Sequence, residues 1–333
     1  MKWIRGDELL LEVAEVSNPI EWGNTLRSAI DDIRADIQPE DTLEFSGKIV
    51  ADFGKDYIFH LPACNYKGKK RQEFITRVTI DGSEAKPGAS TGFILPNKAS
   101  FYNFKFTGNC HNVYEDGGMI GWNTGMDAEV RFDYCVLNGR YNNDWLFYDW
   151  SQGTKKMSFT NSTFYFARQG IALNNSGGAQ YDLTVDNCKF YGNANYSQSY
   201  GESSRNNEVS GGVLAGVVMR SGTANISNCQ FWMQGLNAVY GGGTGFSAPR
   251  MACVTDHYYS SSSSHLKINL KNMRVHKLVP GVATVVNDVD VRWGTYTLDN
   301  SELISAAQAK MQQILVDARG GSGPAGQFLV WEG

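Results

Sequence analysis

One hexapeptide pattern recurs along the middle of the chain and limits what it can fold into: an apolar residue, a variable residue, asparagine, two variable residues and a second apolar residue. It reads FYNFKF at 101–106, FDYCVL at 132–137, FTNSTF at 159–164 and VDNCKF at 185–190. It continues as ISNCQF at 226–231, LKNMRV at 270–275 and LDNSEL at 298–303, with Ile80-Asp81-Gly82 as a degenerate further copy. The third position is Asn in six copies and Tyr134 in one. Successive third positions are 31, 27, 26, 41, 44 and 28 residues apart, so the basic period is about 27 with two consecutive long intervals. The first apolar residue ends one strand and the second begins the next. Asn accepts the left-handed backbone that so tight a bend needs. Its amide is expected to pair with the Asn one coil away, inside the stack.

Such a template is similar to that of the right-handed parallel β-helices of the pectate-lyase-like superfamily, which includes polysaccharide lyases, glycoside hydrolases and phage tailspikes. The resemblance covers about residues 40–304. It implies an all-β fold, a right-handed parallel β-helix, with an N-terminal capping helix and a short C-terminal helix. Three segments are expected: residues 1–40 with the capping helix, 41–304 as a β-helix of about eight to nine coils, and 305–333 as a helix and tail. Leu26, Ile30, Ile33 and Ile37 place the first helix over 24–37, capped by Asn24 or Thr25 and stopped by Pro39. Ala307, Met311, Ile314, Leu315 and Ala318 place the second over 305–318, with Gly320 as its stop.

Composition narrows the function classes. Hydrophobic residues make up 42% and charged residues 19%, enough apolar material for a core. A net charge of −4 disfavours a nucleic-acid partner. One basic cluster, Lys67, Lys69, Lys70 and Arg71, runs against that balance and reads either as a solvated loop or as an anion site. No apolar run reaches the roughly 18 residues of a membrane span, and the amino terminus does not read as a secretory signal. Cys135, Cys188 and Cys229 share one repeat position and are expected to stack as free core thiols; Cys64, Cys110 and Cys253 lie elsewhere. No metal-ligand spacing or phosphate-binding glycine loop is present, so no cofactor is expected.

Two places are candidates for contact with a partner. The long intervals put residues 193–212 beside 241–264, offering Tyr196, Tyr200, Glu202, Arg205 and Glu208 from the first, and Asp256, His257, Tyr258 and Tyr259 from the second. A second set is a series of short apolar runs, each ending on a polar residue. Stacked, they are expected to align Asn123, Asp149, Asn174, Arg220, Asp256 and Asn287, with Trp122, Tyr148, Trp150 and Tyr258 alongside. Polar edges beside aromatic faces suit a glycan; strand ends that merely solvate a face are the alternative. Asp149 and Asp256 are the candidate acid–base pair for hydrolysis, yet three strand spacings put them roughly 15 Å apart, too far for that chemistry. For a lyase, Arg220 with His257 or Tyr258 is the candidate set. The paired-aspartate, Gly-His-Gly and Arg-x-Lys signatures of polygalacturonase-like hydrolases are absent, so the resemblance transfers no active site.

The expected function is therefore a phage-type virion protein (tailspike, fibre-associated spike or capsid decoration). It would be homotrimeric, assemble in the host cytoplasm and contact host surface glycans, other virion proteins being further expected partners. A polysaccharide lyase or glycoside hydrolase and an extracellular bacterial adhesin without catalysis remain the alternatives.

Overall fold

The computed structural model describes residues 1–53, 59–78, 93–108, 118–122, 127–138, 145–149, 152–166, 169–173, 178–193, 213–234, 250–255, 266–278, 285–286, 289–290, 295–299, 302–305, 310–316 and 326–332. Within them the chain is mostly β-strand, with one α-helix. The central repeats supply three strands each, while Asn65–Val78 and Lys98–Gly108 run through the first corner as single strands. Ala128–Asp133, Val136–Asn138 and Trp145–Asp149 form one set; Thr154–Thr160, Thr163–Phe166 and Gln169–Leu173 form the next. First strands pair parallel and in register with first strands, second with second, and third with third. The first two ladders belong to one eighteen-stranded sheet, and the third to a separate nine-stranded sheet.

The hexapeptide sits at the corner between first and second strands. Asn103, Tyr134, Asn161, Asn187, Asn228 and Asn272 all have positive φ, between 50° and 64°. This left-handed residue carries the backbone ladder around the bend. The amides of Tyr134, Asn161, Asn187 and Asn228 donate to the carbonyls of Thr160, Asp186, Ser227 and Lys271 on the next repeat at 2.9–3.1 Å. The side chains correct the expectation of an interior Asn column: those of Asn187 and Asn228 are exposed and the others half-buried. The corner turns the third-position side chain outward and the following one inward. Cys135, Ser162, Cys188, Cys229 and Met273 are accordingly buried, and Cys64, Cys135, Cys188 and Cys229 are free thiols. Burial pushes the Cys135 thiol up to about 12.

Outside, the amide links are of three kinds, one of them from Asn103 to the Gly68 carbonyl at 2.9 Å. Asn187 donates to Asn161 at 2.8 Å and Asn272 to Asn228 at 2.9 Å. Asn161 and Asn228 donate instead to Asp133 and Asp186, which also accept from Thr160 and Ser227 at 2.6 Å. Inside, aromatic rings repeat with the strand spacing. Tyr66, Phe101, Phe132 and Phe159 stack at 4.7–5.0 Å, and Phe164, Phe190 and Phe231 at 4.5 Å. Such pairs add about 0.5–1.5 kcal/mol each beyond the area they bury.

The N-terminal end closes differently. Lys2–Arg5 and Glu8–Glu12 form an antiparallel hairpin, and Lys2–Arg5 also runs antiparallel to Thr42–Phe45. The helix spans Pro19–Ile33, not 24–37, because Asn18 is its N-cap: the Asn18 carboxamide accepts from the Ile20 and Glu21 amides, and Pro19 needs no partner in the first turn. Trp22, Leu26 and Ile30 enter the common core. Ile33 is half-buried at the helix end, and Ile37 lies beyond it.

The C-terminal end departs from expectation altogether. In place of a helix over 305–318, Lys310–Val316 is a strand paired antiparallel with Gly326–Glu332. A short apolar run fits either period. Here a partner strand rich in aromatic and β-branched residues decides, setting Ile314 opposite Phe328 and Gln312 opposite Val330.

Candidate functional site

The third ladder carries the residues singled out for chemistry, and its register separates them. Asp149 pairs with Trp122 on one side and Leu173 on the other, and Leu173 pairs with Met219. Asp149 is therefore level with Met219, and Arg220 lies one place beyond that level. Asp149 and Arg220 accordingly do not share the expected column, because register follows the inward side chains and not the last polar residue of each run. Asp149 lies two residues after Phe147 and so on the same, inward face. Phe147 meets Phe132 and Phe159 edge to face, which fixes that face as the core.

Asp149 is fully buried, and a buried carboxylate demands compensation. The neighbouring first ladder supplies it. Lys155 and Tyr181 occupy one register column on the inward side of their strands, both buried. The Tyr181 hydroxyl donates to the Asp149 carbonyl at 3.4 Å. Burial, with the Asp149 charge adding to it, raises the Tyr181 phenol above its ordinary value. Burial lowers the Lys155 ammonium, and the charges of Asp149 and Asp127 oppose that shift. Arg220 is half-buried, its backbone N–H donates to the Leu173 carbonyl at 3.2 Å, and its charge favours ionisation of the same phenol. The structure thus brings Asp149 and Arg220 to one polar cluster around Tyr181. The cluster is enclosed in the core, at the junction of third and first ladders, with its carboxylate shut off from solvent.

Tyr148 points the other way, yet it too is buried, level with Ala172 and Val218. A sheet covered on both faces explains the unbroken apolar runs of the third ladder, including GIAL and AGVVM. Trp122 ends the strand Gly118–Trp122. Asn123, Trp150, Asn174, Tyr196, Tyr200, Glu202, Arg205, Glu208, Asp256, His257, Tyr258, Tyr259 and Asn287 lie outside the described residues.

Two outward aromatic groups were not singled out in the sequence. Tyr165, Tyr191 and Trp232 stack face to face at 5.0 and 4.8 Å on the outer side of the second ladder. Their faces are occupied by one another, so they offer no platform to a sugar. Tyr102 and Tyr134 are exposed, edge to face. The signal for them was present: Tyr134 is the one repeat position where the template's Asn is missing. Among the described residues no helix is long and apolar enough to cross a membrane, and no group of three or more His, Cys, Asp or Glu is placed to hold a metal ion.

Comparison with known proteins gives no relative to lean on: no protein-family model, no curated protein and no solved structure matches the chain.

Proposed function

We propose that the chain is a right-handed parallel β-helix of the pectate-lyase-like type that serves as a phage-type virion protein, a homotrimer contacting host surface glycans. The observation that carries this reading is a stack that keeps register across long interruptions. Residues 194–212 separate Lys189–Asn193 from Val213–Met219, and residues 235–249 separate Gln230–Gln234 from Arg250–Thr255. The third ladder nevertheless pairs Gln169 with Ala215 and Ala215 with Ala252 without a shift. A scaffold that stays rigid while it carries long consecutive insertions is suited to presenting them to a partner. Enclosure of Asp149 favours binding over hydrolysis, since it removes one member of the candidate acid–base pair from contact with substrate.

Light scattering on a sizing column at micromolar protein, paired with a glycan array, tests the proposal. A mass of three 36.8 kDa chains with retained glycans is expected. A strict monomer that retains no glycan overturns it.

A further inference from the structure

At the N-terminal end the eighteen-stranded sheet stops at a strand whose outer edge is open. Glu8–Glu12 pairs antiparallel with Lys2–Arg5, its one cross-strand partner among the described residues, and Lys2–Arg5 pairs in turn with Thr42–Phe45. Such an edge presents a row of backbone N–H and C=O groups to solvent. The pairing skips Leu10: Trp3 lies opposite Leu11, and Ile4 opposite Leu9. The bulge lets both Leu10 and Leu11 pack against the core and turns Leu9 outward. Leu9 is 49% exposed, the most of any large hydrophobic side chain described.

Charge alternates from strand to strand at this end. Glu12, Lys2, Glu44 and Lys67 occupy one register column. Lys2 lies 3.5 Å from Glu12, and Lys67 3.6 Å from Glu44. The column stops on Glu12, so a further strand continues the series with a cation. At the other end of the edge, Glu8 lies opposite Arg5, whose guanidinium is held by Asp41 at 2.8 Å. Asp7 and Glu8 are exposed and enter no ion pair among the described residues. Residues 1–49 carry eleven acidic residues against five basic ones, a surplus of six, where the full chain has a surplus of four.

These charges select the occupant. Two copies of the chain joined antiparallel through this edge would set Glu8 against Glu12 at both ends. Joined parallel in register, they would set Glu8 against Glu8 and Glu12 against Glu12. Like charges directly opposite destabilise a pair of strands, so the flanking acids oppose self-association and leave the apolar centre to a different partner. A strand with Lys or Arg towards both ends and apolar residues between them meets Glu8 and Glu12 with opposite charge and covers Leu9.

We propose that Glu8–Glu12 accepts a basic extended segment of another protein by strand addition, with backbone hydrogen bonds supplying affinity and Glu8, Leu9 and Glu12 the selection. This surface stands independently of the glycan-contact reading. Fluorescence anisotropy of the full chain with a labelled peptide alternating lysine and valine tests it, against a glutamate–valine peptide and a lysine–valine peptide with proline at its centre. The lysine peptide is expected to bind with Kd below about 1 mM, and both controls about tenfold more weakly or worse. Proline removes a backbone donor, so weak binding of that control separates strand addition from charge attraction alone. Leu9→Lys and Glu8→Lys replace exposed side chains, so each should leave the thermal midpoint unchanged and weaken the lysine peptide by about tenfold or more. The inference falls if the lysine peptide does not bind, if either control matches it, or if both variants bind it as the parent does. It falls equally if light scattering shows the parent associating through this edge, with a mass that drops in Leu9→Lys, since the occupant is then a second copy.

Discussion

At Asn187 the backbone lies at φ 51° and the side-chain amide reaches Asn161 at 2.8 Å. These two roles separate by substitution. Asn187→Gly keeps the backbone and loses only the outer bond, at about 1 kcal/mol. Asn187→Ala loses the bond and strains the corner, so it should cost about 2–3 kcal/mol by urea denaturation; equal losses would remove the backbone from the account. The Asp149 cluster follows a different logic. Lys155 and Asp149 are both buried and the Asp149 charge acts on Lys155; removing one of two such charges leaves the other uncompensated, so Lys155→Met should cost about 3–5 kcal/mol, and adding Asp149→Leu should restore most of it. A double variant no more stable than Lys155→Met alone would mean that the two charges do not compensate one another. The corner Asn were legible in the sequence because one backbone requirement repeats with a fixed pattern around it. Asp149 was misplaced by one register position, since a polar residue ending an apolar run gives no sign of which face it occupies; the inward Phe147 carries that information only once the neighbouring strands are in place.

Among the elements, those built on the repeat were legible and those at the ends were not. The helix begins at Pro19 and not at 24, since Asn18-Pro19 spells an N-cap followed by a first-turn proline. In the sequence, the apolar spacing of Leu26, Ile30 and Ile33 outweighed that signal. The C-terminal hairpin was hidden because Lys310–Val316 satisfies both periods and only its partner decides between them. The N-terminal hairpin is tied down by Asp41, which is fully buried and accepts from Trp3 Nε1 at 2.8 Å, from both Arg5 Nε and Nη2, and from the Gln38 amide. The Arg5 hydrogen bond above all holds the Asp41 carboxyl down at about 2, against the cost of burial. The folded value lies below the ordinary 3.8, so this contribution is complete above that pH and disappears as pH falls from about 4 through 2. Asp41→Asn is expected to cost about 2 kcal/mol at pH 7 and to flatten the acid limb of a stability–pH curve. An unchanged acid limb would show that another carboxylate governs it.

For the whole molecule, the central claim is that equivalent residues of successive repeats lie one strand spacing apart along a single ladder. Lys98, Glu129, Lys156, Asp182, Thr223 and Lys267 occupy one such outward column. They alternate in charge through the first four positions, which strengthens the register. The period was legible from seven hexapeptides; the three-ladder arrangement needed the third strands, whose sequences are largely apolar and carry no anchor of their own. Pulsed electron–electron resonance between spin labels placed at 98 and 223, and at 98 and 267, tests the claim most directly. The ladder predicts four and five spacings, about 19 and 24 Å plus the label arms, so the two distances should differ by about 5 Å. Broad distributions, or two distances that do not rise with the number of repeats between the labels, would contradict it.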